Sequence, residues 1–181
     1  IQQATYSTSG PPTVRLLTMV SNANGSGGHS ALVIDGAERV VFDPAGSWHH
    51  PLVPERNDVL YGMSPQLSGC AMDYHARGPY RVLVQELEVT PEQAAALSAA
   101  VQSFGAVPPA RCTRAISTVL SQAPGFQGIR ATWFPVNLSD QFASLPGVTE
   151  SRVYDDDSDD NLELLQAQAR AELSREMANQ S

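Results

Sequence analysis

Between Val14 and Phe42 the chain alternates strand formers with turn formers in a way that admits little besides an antiparallel sheet. Val14 to Val20 reads as a first strand, and the following stretch Ser21-Asn22-Ala23-Asn24-Gly25-Ser26-Gly27-Gly28 cannot continue a ladder. His29 to Ile34 is β-branched enough for a second strand, Asp35-Gly36 marks a turn, and Arg39 to Phe42 reads as the hairpin partner. Downstream, Tyr80 to Val89 alternates apolar and polar positions as a half-buried strand does, and a short strand fits Val59 to Met63. Thr90-Pro91 starts a helix, with Thr90 as cap, that runs to Phe104 before Gly105. A second helix fits Ala110 to Ala123, between Pro108-Pro109 and Pro124-Gly125. A strand around Ile129 to Phe134 and a short helix around Leu138 to Ala143 complete an α+β pattern, an antiparallel sheet packed against helices. Pro44 to Ser68, around Trp48-His49-His50, reads as a long surface excursion, and loops of that length inside a domain are often functional.

A chain of 181 residues with 42% hydrophobic composition is the size of one domain able to bury a full core, and residues 14–149 carry the pattern just described. Residues 1–13 are polar and rich in Ser, Thr, Gly and Pro, the composition of a flexible tether such as remains when a leader or lipid anchor is trimmed. That gives the expectation of an extracytoplasmic location, periplasmic or lipid-tethered. Residues 150–181 change character again: Asp155-Asp156-Asp157-Ser158-Asp159-Asp160 reads as an acidic linker, and Asn161 to Asn179 as a C-terminal helix offering a packing or partner face. The acidic block lacks the turn glycine and closing glutamate of an EF-hand loop, so no calcium site is expected.

The formal charge of −8, with no basic stripe, argues against nucleic acid as a partner. All 11 basic residues are arginine, which excludes a Schiff-base lysine, a P-loop lysine and a Ser-Lys dyad. No run approaches the roughly 20 apolar residues of a transmembrane segment. The two cysteines and four histidines have no zinc-site spacing, so neither a metal nor another cofactor is expected.

Chemistry is most plausible at Cys112, which opens the second helix and shares its buried stripe with Ile116, Val119 and Leu120. Amides and positive partial charge at a helix N-terminus favour a thiolate and can stabilise an oxyanion. A small packed residue is the competing account of the same position. His29 opens its strand behind the glycine-rich loop, which leaves room for a substrate beside the imidazole. If the hairpin turn has an odd number of residues, Asp35-Gly36-Ala37 for example, Asp43 falls on the face of His29 and directly opposite it. An even turn sends Asp43 to the other face, where it is only an Asp-Pro turn residue.

Gly28-His29-Ser30-Ala31-Leu32-Val33-Ile34-Asp35-Gly36, then Arg39-Val40-Val41-Phe42-Asp43-Pro44-Ala45-Gly46, then Cys112 at a helix start, resembles the circularly permuted papain-like superfamily. Its members include NlpC-related permuted hydrolases such as the YiiX-like group and the lecithin:retinol acyltransferases. The resemblance implies Cys112 as nucleophile, His29 as general base and Asp43 as orienter, with Gly28, Ser30 and Trp48 beside the substrate. It implies acyl chemistry on an amide in a peptide or cell-wall substrate, or else on an acyl-lipid ester or thioester as hydrolase or acyltransferase. From a different class, a catalytically silent domain would use the glycine-rich loop and Trp48 to present a ligand surface. Cys70, with His75 nearby, competes as nucleophile, and a Cys70–Cys112 disulfide would abolish the thiolate. His49-His50 lacks spaced partners for a metal and reads as a surface pair.

Overall fold

The strand pattern at the start of the chain continues into a single seven-stranded sheet. The computed structural model describes residues 4–154 and Arg170. In chain order the elements are β1 (Thr13–Ser21), β2 (Gly27–Asp35), β3 (Arg39–Phe42), β4 (Glu55–Arg56), β5 (Val59–Tyr61), α1 (Pro65–His75), β6 (Tyr80–Glu88), α2 (Pro91–Phe104), α3 (Cys112–Gln122), α4 (Pro135–Ala143) and β7 (Thr149–Val153). The sheet order is β4-β5-β3-β2-β1-β6-β7, with every neighbouring pair antiparallel, so the class is α+β.

Alternation divides each central strand between two cores. Val14 and Leu16 of β1, with Leu32 and Ile34 of β2, pack under the helices against Leu97, Ile116, Leu120 and Leu138. Leu17, Met19, Ala31 and Val33 point to the opposite face and pack against Trp48, Met63 and Leu67. Each such buried Leu or Ile is worth roughly 1.5–3 kcal/mol. Where the first three strands begin and end, Asp35 accepts two bonds from Arg39, at 2.6 and 3.2 Å, and one from Arg15 at 2.8 Å. The cap expected at Thr90 is a reciprocal box: Gln93 N–H donates to Thr90 Oγ1 at 3.1 Å, and Thr90 N–H to Gln93 Oε1 at 2.9 Å. Such a cap stabilises by about 1 kcal/mol.

Several expectations need correction. Ile129 to Phe134 forms no strand, because side chains satisfy the backbone groups a ladder would have used. Arg130 N–H donates to Gln141 Oε1 at 2.7 Å and Thr132 N–H to Ser117 Oγ at 2.9 Å. Their carbonyls accept from the same two side chains. The long excursion after Pro44 holds β4, β5 and the start of α1, whose first turn is capped by Ser64 Oγ accepting from Leu67 N–H. The domain runs past residue 149, since β7 pairs along β6 from Glu86↔Thr149 to Val82↔Val153. The described part of the N-terminal tether is docked: Arg39 N–H donates to Tyr6 O at 2.6 Å, the Arg39 guanidinium sits 4.8 Å over the Tyr6 ring, and Val89 N–H donates to Pro12 O at 3.0 Å. The acidic block and the expected C-terminal helix lie outside the described residues, apart from Arg170. Among the described residues, no helix is long and apolar enough to cross a membrane.

Candidate active site

Glycines at the start of β2 let two other elements close on the strand just where His29 emerges. A Cβ on Gly27 would lie 2.6 Å from Pro135 Cβ, and one on Gly28 2.9 Å from the Tyr80 ring. Here the β1–β2 ladder shifts register, pairing Met19 with His29 but Val20 with Gly27, so Gly28 is the extra residue of a bulge.

The β2–β3 turn is residues 36–38, between the paired Asp35 and Arg39. Its odd length puts His29 and Asp43 on one face, though the register differs by two residues from direct opposition. Val33 pairs with Val41, so the same register carried on sets Asp43 across from Ala31, diagonal to His29. The diagonal is short enough: Asp43 Oδ1 lies 2.6 Å from His29 Nε2. Asp43 is also the turn residue that the Asp-Pro pair announced. Its N–H donates to Asp58 O, its carbonyl accepts from Gly46 N–H, both at 2.9 Å, and a Cβ on Gly46 would fall on its carboxylate. The two roles weighed as alternatives for Asp43 coexist, the turn aiming the carboxylate at the ring.

Asp43 Oδ2 faces a second imidazole, His75 Nε2, at 3.7 Å. The His75 ring stacks on His29 with centroids 5.8 Å apart and planes 22° apart. His75 closes α1 and thus belongs with Asp43 rather than serving as a base for Cys70. The sequence signal that could have found it was Ser64-Pro65, a cap and first-turn pair like Thr90-Pro91, which starts the helix that delivers it.

Cys112 is the first residue of α3 and is 8% exposed. Before it, Ala110 holds φ of +63°, a left-handed conformation that costs an alanine of order 1 kcal/mol, and Arg111 gives the helix no side-chain cap. The Ser30 backbone amide favours the ionised form of the thiol, and Thr113 Oγ1 lies 3.8 Å from it. The thiol and the His29 imidazole interact through their side chains, each favouring the ionised form of the other. With Nε2 engaged by Asp43, the nitrogen left for Cys112 is Nδ1. The Cys112 thiol arrives from the helix side of the sheet and the His29 imidazole from the other, and they meet at the bulged end of β2.

Burial alone would push the Cys112 thiol up, but the hydrogen bond and charge of His29, with the Ser30 amide and Thr113 hydroxyl, bring it down to about 7. Burial likewise pulls His29 down, and is overcome by the hydrogen bonds and charges of Asp43 and Cys112, which raise it to about 10. Burial opposes the ionised Asp43 carboxylate too, yet the two imidazoles hold it well below the usual carboxylate range. From about pH 7 to about pH 10 the resting pair is therefore thiolate and imidazolium.

No family model, curated protein or solved structure matches the chain. The site is read from its geometry. A cleft of about 350 Å³ opens on His29, lined also by Gly28, Gly46, Tyr74, His75 and Tyr80. Ser47 Oγ and Tyr74 OH bridge one rim at 2.8 Å. Gly28 thus sits where a substrate-contacting residue was expected, but Ser30 and Trp48 do not. The Ser30 side chain is fully buried, with Oγ 3.0 Å from Thr113 Oγ1, so what it offers the site is its backbone amide. Trp48, 1% exposed, is a core residue stacked on His50 and lines a small internal cavity rather than the cleft. The surface histidine pair is half right: His49 is exposed and paired with Glu55 at 2.9 Å, while His50 is buried. Cys70 packs into the Trp48 core while Cys112 opens α3, and the two form no disulfide with each other. Among the described residues, no group of three or more His, Cys, Asp or Glu side chains is arranged to hold a metal ion.

Proposed function

We propose that the chain is a cysteine hydrolase acting on an acyl carbon, with Cys112 as nucleophile, His29 as general acid and base, and Asp43 as orienter. The observation that carries this reading is the convergence of His29, Asp43 and the Cys112 thiol, the thiol drawn down to about 7 at the start of α3. The order strand histidine, following-strand carboxylate, helix-borne cysteine supports a permuted papain-like architecture.

The Cys112 thiolate attacks the substrate carbonyl carbon, forming a C–S bond while the carbonyl electrons move to oxygen. Backbone amides at the uncapped start of α3 stabilise that oxyanion. The oxyanion collapses, the bond to the leaving nitrogen, oxygen or, for a thioester, sulfur breaks, and the His29 imidazolium gives the leaving group its proton. The imidazole, now neutral, takes a proton from water, the hydroxide adds to the thioester, and collapse releases the carboxylic acid and the thiolate. Asp43 holds Nε2–H and leaves Nδ1 facing the sulfur throughout.

An amide in a peptide or cell-wall substrate is the first substrate class, since Tyr74, Tyr80 and the Gly28 backbone give the cleft the mixed walls that suit an extended peptide. An acyl-lipid ester or thioester is the second, favoured by exposed Trp133 and Phe134. The test is mass spectrometry of the chain after short incubation with activated peptide-amide and acyl-ester panels. An adduct of the acyl mass on Cys112, absent in Cys112→Ser, is expected. No adduct across both panels, together with an ordinary Cys112 titration, would establish the silent binding domain instead.

A further inference from the structure

Although the chain as a whole is strongly acidic, Gln93 to Ser139 contains no Asp or Glu, and its charges are Arg111, Arg114 and Arg130. The fold gathers this unusual stretch into one face. Trp133 is 52% exposed and Phe134 69%, with Val136 beside them also exposed. They are not a loose end: Ser117 and Gln141 pin the backbone at Thr132 and Arg130, so the aromatic side chains are held outward. The guanidinium groups of Arg111 and Arg114 each lie 5.8 Å from the Trp133 ring. Among the described residues, none of the ion pairs involves Arg111, Arg114 or Arg130. The apolar strip reaches the cleft, because Pro135 packs against Gly27 and Tyr80 against Gly28, the residues leading into His29.

Large exposed aromatics beside uncompensated guanidinium groups need a partner that is apolar at depth and anionic at its surface. A second copy of the chain is a poor match, since it would set arginines against arginines. Free phosphate leaves Phe134 in water. A bilayer satisfies both: indole rings settle at the headgroup boundary, phenyl rings below it, and arginines pair with phosphates. The overall negative charge does not forbid the approach, because screening over roughly 8 Å at physiological salt leaves the local face in control. We propose that the Trp133–Phe134–Val136 face, with Arg111 and Arg114, docks the protein on an anionic phospholipid bilayer and opens the cleft at the lipid–water boundary. This docking does not depend on the hydrolase reading.

The chain has two tryptophans and Trp48 is buried, so Trp133 reports contact with lipid. The full chain, wild type and Cys112→Ser, is titrated at 0.15 M salt with brominated phosphatidylcholine vesicles, with and without phosphatidylglycerol. Trp133 quenching is expected in both proteins, with a midpoint at least tenfold lower in lipid for the anionic vesicles. Phe134→Ser should raise that midpoint at least tenfold in vesicle flotation without lowering Tm, and Arg111→Gln with Arg114→Gln should erase the anionic preference. No quenching at millimolar lipid, equal binding to neutral vesicles, or unchanged binding in these variants overturns the proposal. So does a concentration-dependent doubling of mass that Phe134→Ser removes, which would assign the face to a second copy. Docking by Cys112→Ser alongside a wild-type chain that forms no acyl adduct would leave this proposal standing and defeat the hydrolase.

Discussion

Mild acid separates Cys112 from an ordinary thiol by an amount the site geometry fixes. With a titration near 7, about one part in eleven of Cys112 is thiolate at pH 6, whereas a thiol of pKa about 8.5 is about 0.3% ionised. The ratio is about 30. A thiolate of lower pKa is also a weaker nucleophile, by about 0.4–0.5 log units per unit of pKa, which removes a factor of about 5. A roughly sixfold rate advantage at pH 6 remains at equal access. Access is not equal, because Cys112 is largely buried, so the shape of the profile decides rather than the absolute rate. Iodoacetamide labelling of Cys112, followed by peptide mapping, should flatten above about pH 7.5 in the folded chain. The denatured chain should keep climbing to about pH 8.5. In His29→Ala the folded midpoint should move up, because burial stays and the His29 hydrogen bond and charge, the largest of the compensating effects, are gone while only the Ser30 amide and Thr113 hydroxyl remain. A folded wild-type profile still rising tenfold per unit between about pH 7.5 and 8.5 would refute the ion-pair argument.

Asp43→Asn keeps a hydrogen-bond partner for His29 but loses the charge, so acyl transfer should fall about 10²- to 10⁴-fold, measured as single-turnover adduct formation. Gly46→Ala should cause a comparable loss with every charged group intact, because the new Cβ displaces the Asp43 carboxylate; unchanged turnover would mean that the carboxylate position is irrelevant. Since the folded Asp43 carboxyl lies below its unfolded value, its stabilisation is present above the ordinary value of 3.8 and is lost as pH falls through the folded value. Urea midpoints from about pH 5 to 2 should therefore drop more steeply in wild type than in Asp43→Asn. Ser117→Ala removes the acceptor for Thr132 N–H and should cost about 1–2 kcal/mol in urea unfolding.

The elements visible in the sequence are those whose local pattern and tertiary role agree. β1, β2 and β3 read as near-continuous apolar, β-branched runs because both faces are packed, and α2 announces itself by Thr90-Pro91 and its cap. α1 hides because Leu67 is its one buried residue, so its amphipathic signal is faint despite Ser64-Pro65. β7 hides because Thr149 to Arg152 are exposed, and an edge strand with little to bury shows no alternation. Ile129 to Phe134 misleads for the opposite reason: its apolar residues look like a strand, yet their backbone is satisfied by Ser117 and Gln141 and their rings face outward. At the site, parity was enough to bring His29 and Asp43 onto one face, whereas the register depended on which three residues made the turn. Trp48 could not be placed, because nothing in its local sequence shows that α1 and the sheet close around it.

The three groups of the site are delivered in a fixed order as the chain is made. β2 and β3 carry imidazole and carboxylate, and these elements, with β6 and α2, all precede α3. Contact between the two parts spans most of the domain, as the Ser30–Thr113 hydroxyl pair shows at a separation of 83 residues. A nascent chain short of α3 holds the imidazole and carboxylate without the thiol, and an unfolded one holds the thiol apart from both. The assembled trio thus belongs to the folded domain rather than to any segment of it, and under the proposed hydrolase reading a molecule that loses the closure of α3 on β2 loses its acyl chemistry with it.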